Sequence, residues 1–203
     1  MLVSIHPLNP QFRLLRPIVE TLACGGVIVY PTDVAYGLAC ALGEKEAIAR
    51  ILRIRALSAQ HPFTLMCRSI SEISHYARVE NADYRILRSY LPGPYTFILK
   101  ASRAVPKRLW HHKRATIGFR VADHLITQQL LEQFNQPLLT TTLILPGSEW
   151  PLTDPQEMEA QLGDQVDWII DAGMGSITST SVVDLTQGYP QVMRVGLGDI
   201  THF

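Results

Sequence analysis

Residues 25–38 read Gly-Gly-Val-Ile-Val-Tyr-Pro-Thr-Asp-Val-Ala-Tyr-Gly-Leu, and they place polar side chains directly after an apolar run. The run at 27–30 is rich in β-branched residues and predicts a buried strand, which ends at Pro31 because proline cannot donate to a sheet ladder. Thr32, Asp33 and Tyr36 then lie on a loop at the carboxyl end of the strand, where open α/β sheets bind ligands. A turn that only caps the next element explains these residues equally well.

Helical and strand patterns alternate along the rest of the chain. Hydrophobic spacing and end signals predict helices over 11–24, 44–54, 71–77, 83–91, 125–134 and 155–162. Strands are predicted over 27–30, 63–67, 95–101, 116–121, 137–145, 166–170, 181–185 and 191–194. The order indicates an α/β fold with one large mixed parallel and antiparallel sheet, and its antiparallel strands are expected late in the chain. No linker composition interrupts it, so residues 1–203 are predicted to form a single domain.

Composition excludes several classes of protein. The 203 residues are 47% hydrophobic and 18% charged, which is ordinary for a compact globular chain. No apolar run reaches the roughly 18 residues that span a bilayer, and the first residues do not resemble a signal peptide. Three widely spaced cysteines favour neither a disulfide framework nor a zinc site, so we expect a cytoplasmic protein.

Charge is distributed unevenly. Residues 1–140 contain 17 Lys and Arg against 9 Asp and Glu, whereas residues 141–203 contain 1 against 9. A basic first part could present a surface to an anionic partner such as RNA. Alternatively, the two parts fold together and neutralise each other.

Several separate positions could bind an anion, although each has a simpler structural explanation. Arg53 and Arg55 close the second helix, and they could clamp a phosphate if the helix unwinds at Ile54, or remain a solvated helix end. Arg120 stands inside an apolar strand and therefore needs an internal carboxylate or a ligand. Arg194 is the only cation after residue 140 and could equally form an ion pair.

Two clusters of hydroxyl side chains carry no specific signal by themselves. Thr142 belongs to one and the pair Thr180 and Ser181 to the other, and such clusters are common in strands and turns. The seven histidines show no ligand spacing, so no metal site is predicted, and neither a P-loop nor a GxGxxG motif occurs.

Taken in order, these segments resemble the YrdC-like family of threonylcarbamoyl-AMP synthases, and more closely its YciO branch. The resemblance rests on the following motifs: PTDVAYGL at 31–38, the pair Arg53 and Arg55, PGPYTFIL at 92–99, TIGFRV at 116–121, PLLTTTLILPG at 137–147, IIDAG at 169–173, STSVVDLT at 179–186 and VMRVG at 192–196. IHPLNP at 5–10 and LPGSE at 145–149 resemble the YciO branch specifically.

The resemblance implies a twisted α/β domain with a deep basic cavity. It implies a reaction in which L-threonine, bicarbonate and ATP, the last with Mg²⁺, give threonylcarbamoyl-AMP and pyrophosphate for modification of tRNA adenosine 37. Family positions that face the substrate correspond to Thr32, Arg55, Arg120 and Ser181. Those that contact nucleotide or phosphates correspond to Arg53, Arg55, Thr142, Thr180 and Arg194, and Tyr36 corresponds to a wall of the pocket. No residue is assigned as a catalytic acid or base.

Three positions depart from the family pattern. Arg53 replaces a lysine, Ala122 replaces a proline, and Thr142-Leu143-Ile144 replaces Ser-Ala-Asn. Losing one polar contact in a preorganised site costs on the order of 10²–10³ in rate, so we expect a synthase activity that is weakened or altered. The alternative is a module that binds double-stranded RNA or tRNA without adenylation.

Overall fold

The computed structural model describes residues 1–111 and 113–203 and, of Phe12, the backbone alone. The helices are α1 Phe12–Ala23, α2 Lys45–Ile54, α3 Ile70–Tyr76, α4 Asn81–Tyr90, α5 Leu125–Phe134 and α6 Pro155–Leu162, with a 3₁₀ turn at Lys107–Leu109. The strands are β1 Leu2–Ser4, β2 Val27–Tyr30, β3 Gly37–Ala41, β4 Thr64–Met66, β5 Ala77–Arg78, β6 Tyr95–Ala101, β7 Thr116–Arg120, β8 Leu138–Thr142, β9 Trp168–Asp171, β10 Ser181–Asp184 and β11 Gln191–Arg194.

All strands join one sheet in the order β1-β9-β2-β3-β8-β4-β7-β6-β10-β11, and β5 pairs with the side of β6. Four pairs are parallel (β1/β9, β2/β9, β4/β7 and β6/β10) and the remaining pairs are antiparallel. The predicted single α/β domain with a mixed sheet is therefore confirmed. Antiparallel pairing is not confined to the end of the chain, however, because β2 and β3 already form an antiparallel pair.

Strand β3 was not predicted. Its sequence, Gly-Leu-Ala-Cys-Ala, lacks the β-branched and aromatic side chains that favour strands. Glycine is required at its start, since a Cβ on Gly37 would lie 2.7 Å from the ring of Tyr30 and 3.1 Å from Thr140 Oγ1. Residues 31–36 thus connect two paired strands, and their polar side chains lie at one end of the sheet, as expected. The short strands β1 and β5 were also missed.

Hydrophobic residues cover both faces of the sheet. Alternate residues of β2 divide between two clusters, with Val27 and Val29 in one and Ile28 and Tyr30 in the other. Buried residues of α2 and α6 pack with the first cluster, and those of α1 and α5 pack with the second. Of the helices described, none is both long and apolar enough to cross a membrane.

The acidic C-terminal part is interleaved with the basic part. Strand β9 lies between β1 and β2, which brings Asp167 into an ion pair with Arg50 and lets its carboxylate accept a hydrogen bond from Val27 N at 2.7 Å. Near the other edge of the sheet, Asp184 lies 3.7 Å from Arg114. These contacts support the interpretation that the two parts of the chain partly neutralise each other.

Candidate functional site

A cavity of about 370 Å³ opens where the polar loop at 31–36 meets the strands in the middle of the sheet. Small residues of three neighbouring strands line it, since Thr64 pairs with Thr140 on one side and with Gly118 on the other. A Cβ on Gly118 would lie 2.9 Å from Thr64 Oγ1 and 3.1 Å from Thr96 Cγ2. Glycine is therefore required at position 118 by the close approach of Thr64 and Thr96, and these small residues line the cavity.

The charged groups of the cavity have one sign. Arg55, Arg120 and Arg194 line it together with His61 and His111, and no carboxylate occurs among the described lining residues. The remaining lining is dominated by threonine hydroxyls and by apolar side chains such as Phe63, Ile98, Ile117, Ile144 and Val182. A volume in this range suits a small-molecule ligand, and the arginines indicate that the ligand is an anion.

Arg120 has the internal partner that its place in an apolar strand requires. Its guanidinium forms an ion pair with Asp33 and lies 3.3 Å from Thr32 Oγ1, and both charged side chains are only 10% exposed. Arg120 Nε and Asp33 Oδ2 nevertheless have no hydrogen-bond partner. The ion pair holds Arg120 in place, and its Nε is a buried donor without a partner.

Thr32 fits both interpretations of the opening motif. Its hydroxyl donates to the carbonyl of Ala35 at 2.7 Å and accepts from Val34 N at 3.1 Å, which closes the turn. The same residue is buried and lines the cavity beside Arg120. The turn is thus also a wall of the site.

Arg55 lies in the cavity because it caps the C-terminus of α2. Its Nε donates to the carbonyl of Ile144 at 2.9 Å, and its Nη1 donates to Thr141 Oγ1 at 2.6 Å. No carboxylate among the described residues pairs with it, and burial lowers the pKa of its guanidinium. Arg55 is therefore a fixed cation without a counter-ion.

The structure corrects the expected placement of Arg53. Helix α2 continues regularly to Ile54, so positions 53 and 55 point in different directions, as residues two apart on a helix must. Arg53 is exposed and does not line the cavity. Three arginines converge on the site rather than four.

Arg194 is positioned by the chain before β10. Its Nε and Nη2 donate to the carbonyl of Thr180 at 3.1 and 3.0 Å, and Nη2 also reaches Thr180 Oγ1 at 3.1 Å. Thr180 in turn shares a hydrogen bond of 2.8 Å with Thr96. Burial, with a smaller contribution from the nearby charge of Arg120, lowers the pKa of Arg194. Arg120 and Arg194 thus form one positive end of the cavity.

Ser181 does not line the cavity. Adjacent strand residues point to opposite faces, so Thr180 and Val182 line the cavity while Ser181 is turned away and fully buried. Its hydroxyl donates to the carbonyl of Gly198 at 2.6 Å and accepts from Gly196 N at 2.9 Å. Ser181 fastens the C-terminal segment to the sheet.

Two other expected residues do line the cavity. Thr142 is half-buried there, opposite Gly37 in the register of β8 and β3. Tyr36 forms a wall, but its hydroxyl is used elsewhere, since it donates to the carbonyl of Gly173 at 2.7 Å and accepts from Ala172 N at 3.0 Å. Burial raises the pKa of Tyr36 to about 12.

Several lining residues were missed, and two of them lie beside Arg55. His61 and Thr141 stand next to Arg55, with His61 Nε2 at 3.0 Å from Thr141 Oγ1. Neither carries a sequence signal: His61 lies in a loop, and Thr141 is one of three consecutive threonines. Within the described residues, no group of three or more His, Cys, Asp or Glu side chains could hold a metal ion. His112, which follows the lining residue His111 in the sequence, lies outside the described residues.

Comparison with known proteins identifies related chains. The Sua5/YciO/YrdC family model, described as telomere recombination, matches residues 20–196. The Escherichia coli K12 protein called uncharacterized protein YciO is 50% identical over 98% of this chain and 97% of its own length. A human threonylcarbamoyl-AMP synthase is 31% identical over 78% of this chain, which corresponds to 56% of the human protein.

Solved structures show the same fold. The crystal structure of E. coli YciO matches with a TM-score of 0.95 at 49% identity, covering 99% of this chain and 98% of that one. The structure of P. abyssi Sua5 complexed with L-threonine matches with a TM-score of 0.88 at 22% identity. It covers 97% of this chain and 57% of the Sua5 chain, so at this identity it supports the fold alone.

The buried ion pair of Arg120 and Asp33 predicts a non-additive effect on stability. Arg120→Ala should lower the free energy of unfolding by about 3–5 kcal/mol, because Asp33 is left buried without a partner. The double variant Asp33→Ala/Arg120→Ala should be more stable than Arg120→Ala, because neither charge is then buried alone. Urea unfolding measures both, with the exposed Arg103→Ala as control. A double variant as unstable as the sum of the two single variants would contradict the prediction.

Proposed function

The chain belongs to the Sua5/YciO/YrdC family, and on that premise we propose that its cavity binds ATP, L-threonine and bicarbonate and makes threonylcarbamoyl-AMP. The observation that carries the proposal is the convergence of Arg55, Arg120 and Arg194, from three distant segments, on a cavity whose described lining has no carboxylate. Such an arrangement is costly to maintain without a ligand, and it favours a substrate with more than one anionic group.

The proposed reaction has few demands beyond binding and charge. The amine of threonine and bicarbonate give a carbamate with loss of water, and a carbamate oxygen then attacks the α-phosphorus of ATP and expels pyrophosphate. No covalent intermediate with the protein is needed. The chain has to bring two anions together and to stabilise the charge that develops on the leaving group, which fixed arginines do well.

The geometry supports a division of labour between the two ends of the cavity. Arg120, which lines the cavity with Thr32 beside it, is suited to the threonine carboxylate. Arg55 is suited to phosphate oxygens, because Thr141 and the Ile144 carbonyl hold its guanidinium while no carboxylate neutralises it. Arg194 lies near Arg120 and would contact a phosphate where the two substrates meet. Thr142 and Thr180 supply hydroxyls to the nucleotide.

Mg²⁺ would arrive with the nucleotide. The described lining of the cavity contains no Asp or Glu, the side chains that bind this ion in proteins. Phosphate oxygens and water are then its ligands, and it adds positive charge at the triphosphate.

A matched pair of arginine variants tests the site. Arg55→Ala should reduce threonine- and bicarbonate-dependent pyrophosphate release from ATP by roughly 10²–10³-fold, because it removes a cation fixed in the cavity. Arg53→Ala, two residues away but exposed, should leave the rate within about twofold of the parent. Release at background in the unmodified chain, or an equal loss in both variants, would overturn the proposal.

Replacing Ile144 by asparagine should increase the activity. The Ile144 side chain lines the cavity where the family has asparagine, so the nucleotide loses a polar contact. Ile144→Asn should raise the rate of pyrophosphate release at least about tenfold, which is a part of what one such contact contributes in preorganised sites. Ile144→Leu is the control for packing. If asparagine and leucine have the same effect, the missing amide does not limit the reaction.

Binding of double-stranded RNA or tRNA remains the second candidate function. The observation that favours it is the loop between β6 and β7, whose five cations are exposed and accompanied by no carboxylate between residues 102 and 115: Arg103, Lys107, Arg108, Lys113 and Arg114. Of these five, Arg114 also forms an ion pair with Asp184. A loop of this kind can contact phosphates without reading sequence.

The RNA hypothesis has a direct electrostatic test. If the loop binds a duplex, exchanging Arg103 and Lys107 for Ser should weaken binding of a labelled double-stranded RNA and lower the slope of log affinity against log salt by about one to two. Arg55→Ala should change neither quantity. If binding of the double-stranded RNA is weak and unchanged in the loop variant, the RNA hypothesis is wrong and the cavity stays the candidate functional site.

A further inference from the structure

His61 stands at the Arg55 end of the cavity in an unusual environment. The imidazole Nε2 lies 3.0 Å from Thr141 Oγ1, and Arg55 Nη1 donates to that same oxygen at 2.6 Å. The edge of the histidine ring meets Phe63, with ring centroids 5.4 Å apart and an interplanar angle of 84°. The ring is therefore held between an apolar side chain and a hydroxyl that a cation already uses.

The shared hydroxyl can serve both protonation states of His61. Arg55 can only donate, so Thr141 Oγ1 accepts its hydrogen and keeps its own hydrogen free. Beside a neutral His61 whose Nε2 carries no hydrogen, Thr141 donates to Nε2. When His61 is protonated, Nε2 becomes the donor, and the Thr141 hydrogen is released toward the cavity. Protonation thus adds both a cation and a hydroxyl donor next to Arg55.

The charges around His61 oppose protonation until an anion binds. Arg55 is the charged group that acts on it, and burial together with this charge lowers the pKa of His61 below its ordinary 6.5. The other titratable groups among the described lining residues are Tyr30, Tyr36, His111, Arg120 and Arg194, and this set contains no carboxylate. A bound phosphate would therefore be the first negative charge to face His61 from inside the cavity.

We propose that His61 is a further anion-binding residue of this site and takes up a proton when a phosphate group binds beside Arg55. The bound anion favours the imidazolium, and the imidazolium with its released Thr141 donor holds the anion more tightly. Affinity for the anion should then rise as the pH falls through the pKa of the complex, and it should level off below the pKa of the free protein. The inference rests on the proposed anion site but not on the proposed chemistry.

Pyrophosphate, one product of the proposed reaction, is a suitable probe. The pKa of His61 can be followed by NMR of the imidazole protons in the full chain, free and saturated with pyrophosphate, and the resonance is assigned by its absence in His61→Gln. We expect the pKa of His61 to rise by about one or more units on binding, which corresponds to a gain of about tenfold or more in affinity at low pH.

Variants separate this effect from the titration of pyrophosphate itself. The pH dependence of affinity should be shallower in His61→Gln than in the parent chain, whereas the exposed His202→Gln should match the parent. Binding that depends on Arg55 but leaves the pKa of His61 unchanged would overturn the inference alone. Absence of pyrophosphate binding would overturn both the anion site and the inference. A pKa shift without any synthase activity would support the inference and overturn the proposed reaction.

Discussion

The cavity depends on a steric constraint that crosses three strands. Thr140, Thr64 and Gly118 lie in register on β8, β4 and β7, with Thr96 of β6 close to Gly118. Most central positions of such a sheet carry large apolar side chains, as Phe97 and Phe119 do in the core below. Small residues at these positions forgo hydrophobic burial and create a space lined with hydroxyls.

The three arginines of this cavity are stabilised in different ways. A buried charge is expensive unless it is paired, and the three arginines meet this cost in different ways. Arg120 has a carboxylate, whereas Arg55 and Arg194 are fixed by backbone carbonyls and threonine hydroxyls, which orient the guanidinium without cancelling its charge. A net positive potential therefore remains inside the cavity, and it is directed by groups that do not need to rearrange when an anion arrives.

Periodicity predicted most helices and strands of this fold, and physical geometry explains where it failed. The strand after Tyr36 was hidden by its glycine and alanines, and glycine is required at position 37 by close approach to Tyr30 rather than by strand propensity. In the site, the resemblance implied two pairs of residues that are close in sequence. The local secondary structure directs only one side chain of each pair into the cavity. The end of α2 admits Arg55 and excludes Arg53, and the alternation of β10 admits Thr180 and excludes Ser181. His61 could not be predicted, because its role depends on a contact with Thr141 that is remote in sequence.

The two ends of the cavity have changed to different degrees from the family pattern. The groups suited to carboxylate and phosphate remain in place, since Arg55, Arg120 and Arg194 all line the space. The position at which the resemblance implies an asparagine is instead occupied by Ile144, whose carbonyl accepts from Arg55. Because that contact uses the backbone, the side chain at 144 can change without releasing the arginine. Under the proposed function, a substitution at position 144 therefore alters the contact with the nucleotide and leaves the cation of Arg55 in place.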